Sequence, residues 1–372
     1  MHGWFLTRHD DVMNSFRDTR FSANRVSLME QQFQSLDPSI MKDFTANIKK
    51  QMLMFDGPEH IRMRRQTSPS FTPQALDSWL PVIRRTIQKL LEQVQDRGEM
   101  DFVTAIAYEF PPRVIAEFMG VPEEHHDRLL EWAAPIARFG GLTVGMDVEQ
   151  AAREANTAMR EFAEYLMEIA QKRRQDPADD LISRMINAQE GKGMTAEEVV
   201  ANTILMLNAG HMTTTDQVSN IIHDLLTHPD QLQLLRENPK LLPSAVEESL
   251  RFRPAVPFHY RIAGEDIPLR GKVIRKGDVV FMGIASANRD PAVFPEPDRF
   301  DITRDSAHHK HLSFSFGPHH CLGAGLARRE LELAVEEILQ RMPNLRLDEN
   351  NPPKHKCASL IFRGFVSLHL RW

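Results

Sequence analysis

The chain has 372 residues, 42% hydrophobic and 26% charged, with a formal net charge of −6. That apolar share excludes a disordered chain, and 18 Gly and 23 Pro without period exclude a collagen-like one. The mild acidity argues against nucleic acid as the main partner, since phosphate binding takes clustered Lys and Arg. Two cysteines, Cys321 and Cys357, are too few for a disulfide framework and suit a reducing compartment. The start carries Arg8 and no apolar signal-peptide region, and no apolar run is long enough to span a bilayer. A cytoplasmic protein without a membrane partner is the expectation. No Gly/Ser/Pro linker divides the chain, which predicts one large domain over 1–372.

From about residue 73 to 250 apolar positions recur at helical spacing. Pro73 opens a predicted helix that Gly98 closes, and a second amphipathic helix spans 148–174 before Asp176-Pro177. Thr195-Ala-Glu-Glu198 has the capping-box form and begins a helix predicted to reach His228. Its stretch 204–208 is apolar almost all round, as in a helix buried through the centre of a fold. Gly210 and the run Thr213-Thr-Thr215 are poor helix formers and predict a distortion there. Ser244-Ala-Val-Glu247 reads as a second capping box, starting a helix that ends at Arg253 before Pro254.

Beyond Ala255 the pattern turns to short β-rich runs at 256–262, 267–274 and 279–282. Residues 290–311 have no periodicity and read as a long ordered loop. A last helix at 324–340 precedes strands near Leu345, at 359–362 and at 366–370. The expected fold class is mainly α with a smaller β region.

Cys321 stands in His311-Leu-Ser-Phe-Ser-Phe-Gly-Pro-His-His-Cys-Leu-Gly323, between a loop and a helix. A helix amino terminus lowers a cysteine pKa and offers N–H donors to sulfur. Gly317 can take a positive φ, Gly323 lets the helix approach a flat group, and Phe314 can pack beside it. These are the requirements of a cysteine ligand to haem iron. The neighbouring His308, His309, His311, His319 and His320 suggest a rival zinc site. Their spacing is not that of a zinc finger, and Phe, Pro and Gly would be unnecessary between zinc ligands. Cys357 lies outside any motif.

The pattern Phe314-x-x-Gly317-x-x-x-Cys321-x-Gly323 resembles the haem-binding signature of the cytochrome P-450 family, the haem-thiolate monooxygenases, in their soluble bacterial class. Five further segments follow that family's order: Asp56-Gly-Pro-Glu-His60-x-x-x-Arg64; Ala209-Gly-His-Met-Thr213; Glu248-Ser-Leu-Arg251; Arg261 with Ala287-Asn-Arg-Asp-Pro291; and Asp298-Arg-Phe-Asp301. The resemblance implies haem b held by Cys321 as axial ligand, with Phe314, Gly317 and Gly323 shaping the site. It implies His60, Arg64, Arg261 and His319 on the two haem propionates, although His60 and Arg64 at i and i+4 could equally be a solvated helix face. Glu248 and Arg251, otherwise an ordinary surface pair, would form a buried network with Arg299.

The distal catalytic positions implied are Ala209, Gly210, Met212 and Thr213, with the Thr213 hydroxyl bonded to the Ala209 carbonyl. The residue before that threonine is usually an acid, and a thioether carries no proton. Water held by Thr213, Thr214 or His211 could deliver protons instead, the haem could perform dehydration, rearrangement, nitrogen-group transfer or peroxide-driven chemistry, or Met212 could simply pack. The implied activity is insertion of oxygen from O2 into a mainly apolar small molecule of secondary metabolism. Electrons would come from a ferredoxin and ferredoxin reductase. A non-catalytic haem sensor or carrier is the alternative. Implied pocket residues are Leu205, Ala209, Met212, Val256, Phe258, Ile361 and Phe362. Ser315 stands where a Gly is frequent, and an amino-terminal segment usual in the family is missing, which would expose part of the substrate entrance.

Overall fold

The Thr195 hydroxyl accepts the Glu198 N–H at 3.2 Å while the Glu198 carboxylate accepts the Thr195 N–H at 2.8 Å, so the predicted capping box forms. The central helix that follows, Ala196–Thr227, runs 32 residues. A computed structural model describes residues 3–141, 145–187, 193–305 and 310–372 of the chain. Around the central helix pack the helices Phe110–Met119, Val148–Gln175 and Ala324–Arg341. Its first half buries Val199, Val200, Ile204 and Leu207 in the main apolar core. Its second half is buried but rich in polar side chains, and several of these tie down loops. Gln217 accepts the Ala255 N–H at 3.0 Å, Asn220 donates to the Arg253 and Arg363 carbonyls, and Asp224 accepts from Arg253 at 2.7 Å. The helix thereby fixes the segments on either side of a cavity that it floors.

A four-stranded sheet supplies another wall. Strand His259–Ala263 pairs antiparallel with Val279–Met282, which pairs parallel with Gly3–Leu6, and Phe21–Ser22 closes the other edge. The period of two along a strand puts His259 and Arg261 on one face. The predicted 267–274 run is a hairpin, Ile267–Leu269 with Lys272–Ile274, turning through Arg270 and Gly271 at φ 46° and 75°. Residues 290–305 form the expected loop without regular structure. Among the described residues no helix is long and apolar enough to cross a membrane.

Several expectations need correction. The helix from Pro73 breaks into Pro73–Asp77 and Leu80–Glu92, because Pro81 has no N–H to donate and its ring disfavours helical continuation into it from before. The central helix is continuous through Gly210 to Thr215, since packing over most of its surface outweighs weak local propensity. Ser244 is no cap: the helix starts earlier, at Leu242–Phe252 with Pro243 in its first turn, and Glu247 turns instead to Arg328. No strand forms over 359–362, where Ser359 makes only an isolated bridge; strands occur at Lys354–His355, Phe365–Ser367 and His369–Arg371.

Candidate active site

Cys321 lies three residues before the Ala324–Arg341 helix, and its thiol opens on a cavity of about 300 Å³. The opposite wall is the central helix at Ala209, Gly210, Thr213 and Thr214. The loop that carries the cysteine is closed by the Cys321 N–H donating to the Phe314 carbonyl at 2.8 Å. Between them Gly317 takes φ 73°, and a Cβ there would meet the Phe16 carbonyl oxygen at 2.7 Å. Only glycine fits this position. The expected lowering of the thiol by the helix terminus is not found: burial pushes the Cys321 thiol up, against the Gly323 N–H and the charges of Arg64 and Arg328.

The loop is held from below by a buried ionic network. Arg251 donates twice to the Glu248 carboxylate, at 2.7 and 2.8 Å, and to the carbonyls of Asn288, Pro297 and Arg299. Asn288 then accepts the Leu312 N–H at 2.8 Å and donates to Ser313. The third charged member is Arg304, at 3.2 Å from Glu248, and not Arg299. Arg299 contributes only its backbone, and its guanidinium points outward to Glu296 at 3.6 Å.

His60, Arg261 and His319 converge as the motifs implied. The His60 and His319 rings are 4.0 Å apart, and the buried Arg261 donates to the Tyr260 carbonyl at 3.1 Å. Two residues that the motifs did not indicate join them, His259 and the buried Arg25, whose Nε has no partner. Burial first, then mutual repulsion, lowers His60 to about 4, His259 to about 3 and Arg261 to about 9. Among the described residues one carboxylate faces the group: Asp56 lies 3.4 Å from His319, and although burial raises it, bonds from His319, Ser22 and Ala23 hold it below the usual range. Arg64 meanwhile donates to the His320 carbonyl. So many suppressed cations in one buried place suit an anion.

A family model for Cytochrome P450 matches residues 135–366. The biotin biosynthesis cytochrome P450 of Bacillus subtilis (strain 168) is 39% identical over 346 residues, covering 93% of this chain and 84% of that protein. Mycinamicin IV hydroxylase/epoxidase of Micromonospora griseorubida is 34% identical over 380 residues, covering 99% and 89%. Among solved structures, P450BioI in complex with hexadec-9Z-enoic acid ligated acyl carrier protein matches at a TM-score of 0.89 and 36% identity, covering 100% of this chain and 92% of that one. This chain belongs to the cytochrome P450 family. It is a monooxygenase-type oxidoreductase whose cofactor is haem b.

The P450 carries residues that fit this cofactor. A thiol faces the cavity, a buried cluster of His and Arg side chains that outnumber the Asp56 carboxylate facing them stands at its edge, and a Cβ on Gly323 would meet nothing within 4 Å, leaving room above the helix terminus for a flat group. Phe314 lines the same space and is covered by the Arg328 guanidinium at 4.5 Å. The rival zinc site gains no support: His308 and His309 lie outside the described residues, and among those described no three His, Cys, Asp or Glu side chains form a metal-holding group.

On the distal side of the P450 the Thr213 hydroxyl donates to the Ala209 carbonyl at 2.6 Å, as expected. His211 points elsewhere, with Nε2 3.1 Å from the Tyr108 carbonyl, and burial lowers it to about 4. Of the expected pocket residues Leu205, Ala209 and Val256 line the cavity, whereas Met212, Phe258, Ile361 and Phe362 do not. Phe258 stacks edge-on to Phe5 and Phe281, since strand alternation that turns His259 inward turns its neighbour out. Phe362 packs beside Gly141. Motif reading also missed Glu330, which lines the cavity and whose carboxyl burial pushes well above its ordinary value.

Proposed function

We propose that this P450 inserts one oxygen atom of O2 into a mainly apolar small molecule of secondary metabolism, in the cytoplasm, with electrons from a ferredoxin-type partner. The balance is R–H + O2 + two electrons + two protons giving R–OH and water. The observation that carries this reading is the cavity itself, open to the Cys321 thiol on one side and to Ala209 and Thr213 on the other. Its wall includes Leu53, Ile115, Leu205, Met206 and Val256, which suits an apolar substrate. The hydroxylase/epoxidase among the relatives supports the substrate class.

Cys321 would hold the haem iron through its sulfur, and His60, Arg64, Arg261 and His319 would pair with the propionates as cations with carboxylates. The chemistry haem supplies when bound is activation of dioxygen, which a thiolate ligand favours by pushing electron density toward iron. Thr213, its proton committed to the Ala209 carbonyl, offers its oxygen lone pairs to a water in the cavity. Phe314, Gly317 and Gly323 would keep the cofactor's ligand side close and dry.

A second reading rests on one residue. Met212 occupies the place of the usual distal acid and cannot pass a proton, which favours dehydration, rearrangement, nitrogen-group transfer or peroxide-driven chemistry. The experiment has two stages. A reduced, CO-bound spectrum with the red-shifted thiolate band is expected, and its loss in Cys321→Ala would assign the ligand. A spectral binding screen of candidate metabolites then supplies a substrate for turnover with ferredoxin and its reductase. Product formed in proportion to reductant supports the oxygenase; product formed only with added peroxide, or without any electron donor, supports the second reading.

A further inference from the structure

Ala209, Thr213 and Asp216 stand at i, i+4 and i+7 of the central helix, one stripe of its surface. The first two line the cavity. Asp216 is 1% exposed, its Oδ1 is 2.5 Å from Lys356 Nζ, and its Oδ2 is buried without a hydrogen-bond partner. Lys356 follows the strand Lys354–His355 and its side chain retains 18% exposure, so the pair connects the helix interior to solvent. The carboxylate fills the space that a Gly364 side chain would need, for a Cβ there would meet Oδ1 at 2.2 Å. A glycine opposite an ionisable group makes room for it rather than for packing.

From this geometry we infer that Asp216, reached from solvent along Lys356, is the acid that passes protons to the Thr213 side of the cavity, in place of a carboxyl at position 212. The inference rests on the oxygenase reading and names the proton donor that reading lacks. Adjacent positions three apart on a helix hold their Cβ atoms about 5–6 Å apart, a span that one water bridges. The step balances simply. Lys356 gives a proton to the Asp216 carboxylate and recovers one from water; the Asp216 O–H then gives its proton to a water held at Thr213 Oγ and becomes carboxylate again. No electron moves in the relay, and the two that the reaction needs come from the redox partner.

The surroundings of Asp216 suit the task. Burial raises the carboxyl to about 6, against the opposing charge and hydrogen bond of Lys356, so both protonation states are accessible near neutrality. Gly364 brings only backbone to the group. His211, further back on the same helix, feels Lys356 and is neutral.

The test uses the full haem-loaded chain as wild type, Asp216→Asn, Lys356→Met and Asp216→Asn with Met212→Glu. Infrared spectra are expected to show a protonated-carboxyl band that grows as pH falls through about 6 and vanishes in Asp216→Asn. With a substrate from the binding screen, Asp216→Asn is expected to lower product per reductant by about tenfold or more, to raise peroxide release and to enlarge the solvent deuterium effect. Lys356→Met should do the same more weakly, and Met212→Glu should restore coupling to the Asp216→Asn chain. No titrating band, or an Asp216→Asn chain with unaltered coupling and isotope effect beside an active wild type, overturns the relay alone. A wild type that forms no product with any electron donor overturns the oxygenase reading, and the relay with it.

Discussion

The imidazoles of His60 and His319 lie 4.0 Å apart, centroid to centroid, with the planes 31° from parallel. Two protonated rings at that distance would repel, and burial adds to the cost. Both are lowered from the ordinary 6.5, His60 to about 4. Folded haem-free protein therefore binds fewer protons than the unfolded chain between about pH 4 and 6.5, so these residues cost stability as pH falls through that window and cost nothing above it. Propionates placed against the rings would raise both pKa values. Haem binding at about pH 6 is thus expected to take up protons at the rings while the Cys321 thiol gives one up on binding iron, so the ring contribution is read as the difference between the parent and His60→Gln chains, by calorimetry in two buffers of different ionisation enthalpy. His60→Gln should shift the net exchange toward release; an exchange equal in the two chains would show that the propionates bind elsewhere.

What was readable in the sequence followed its local rules. The capping box at Thr195, the bond from Thr213 to the Ala209 carbonyl and the positive φ of Gly317 each depend on neighbours within a few positions, and all three occur. Contacts made across the chain were less legible. Arg25 and His259 join the cationic cluster only because the strands at 21–22 and 259–263 pair, which no motif announces. Met212 and Phe362 were placed in the pocket by position in a pattern, and side-chain direction decided otherwise.

The network beneath the cysteine loop predicts an order of severity. Glu248→Ala leaves Arg251, 2% exposed, as a buried charge with only carbonyls for company, and is expected to cost about 3 kcal/mol or more in denaturant unfolding. Arg304→Ala should cost less, because Arg251 still neutralises Glu248. Arg299→Ala should be near neutral, since only its backbone oxygen is used and its side chain is exposed. If Arg299→Ala proved costlier than Arg304→Ala, the network would be assigned wrongly.

Ser315 holds φ 61° with its hydroxyl buried and unpartnered. A side chain in the left-handed region costs roughly 1–2 kcal/mol, and an unsatisfied buried hydroxyl adds to it. Glycine removes both penalties and returns some unfolded-state entropy against the gain. Ser315→Gly is expected to stabilise the protein by about 1 kcal/mol in equilibrium unfolding, with the CO-bound spectrum unchanged. A destabilised variant would mean that the hydroxyl has a partner in the haem-loaded state.

Gly317 and Gly323 flank the cysteine, and the two differ in what demands them. Gly317→Ala meets both a φ of 73° and the Phe16 carbonyl oxygen at 2.7 Å, so it should lower stability by about 2 kcal/mol or more whether or not haem is bound. Gly323 has an ordinary φ of −83°, and an added Cβ touches no protein atom within 4 Å. An alanine there loses a few tenths of a kcal/mol as a helix cap and regains a similar amount from the stiffer unfolded chain. Haem-free Gly323→Ala is therefore expected to unfold like the parent while its haem affinity falls, measured by haem transfer to apomyoglobin. Equal haem retention in both proteins would show that the cofactor does not approach the start of the Ala324–Arg341 helix closely enough to require a glycine.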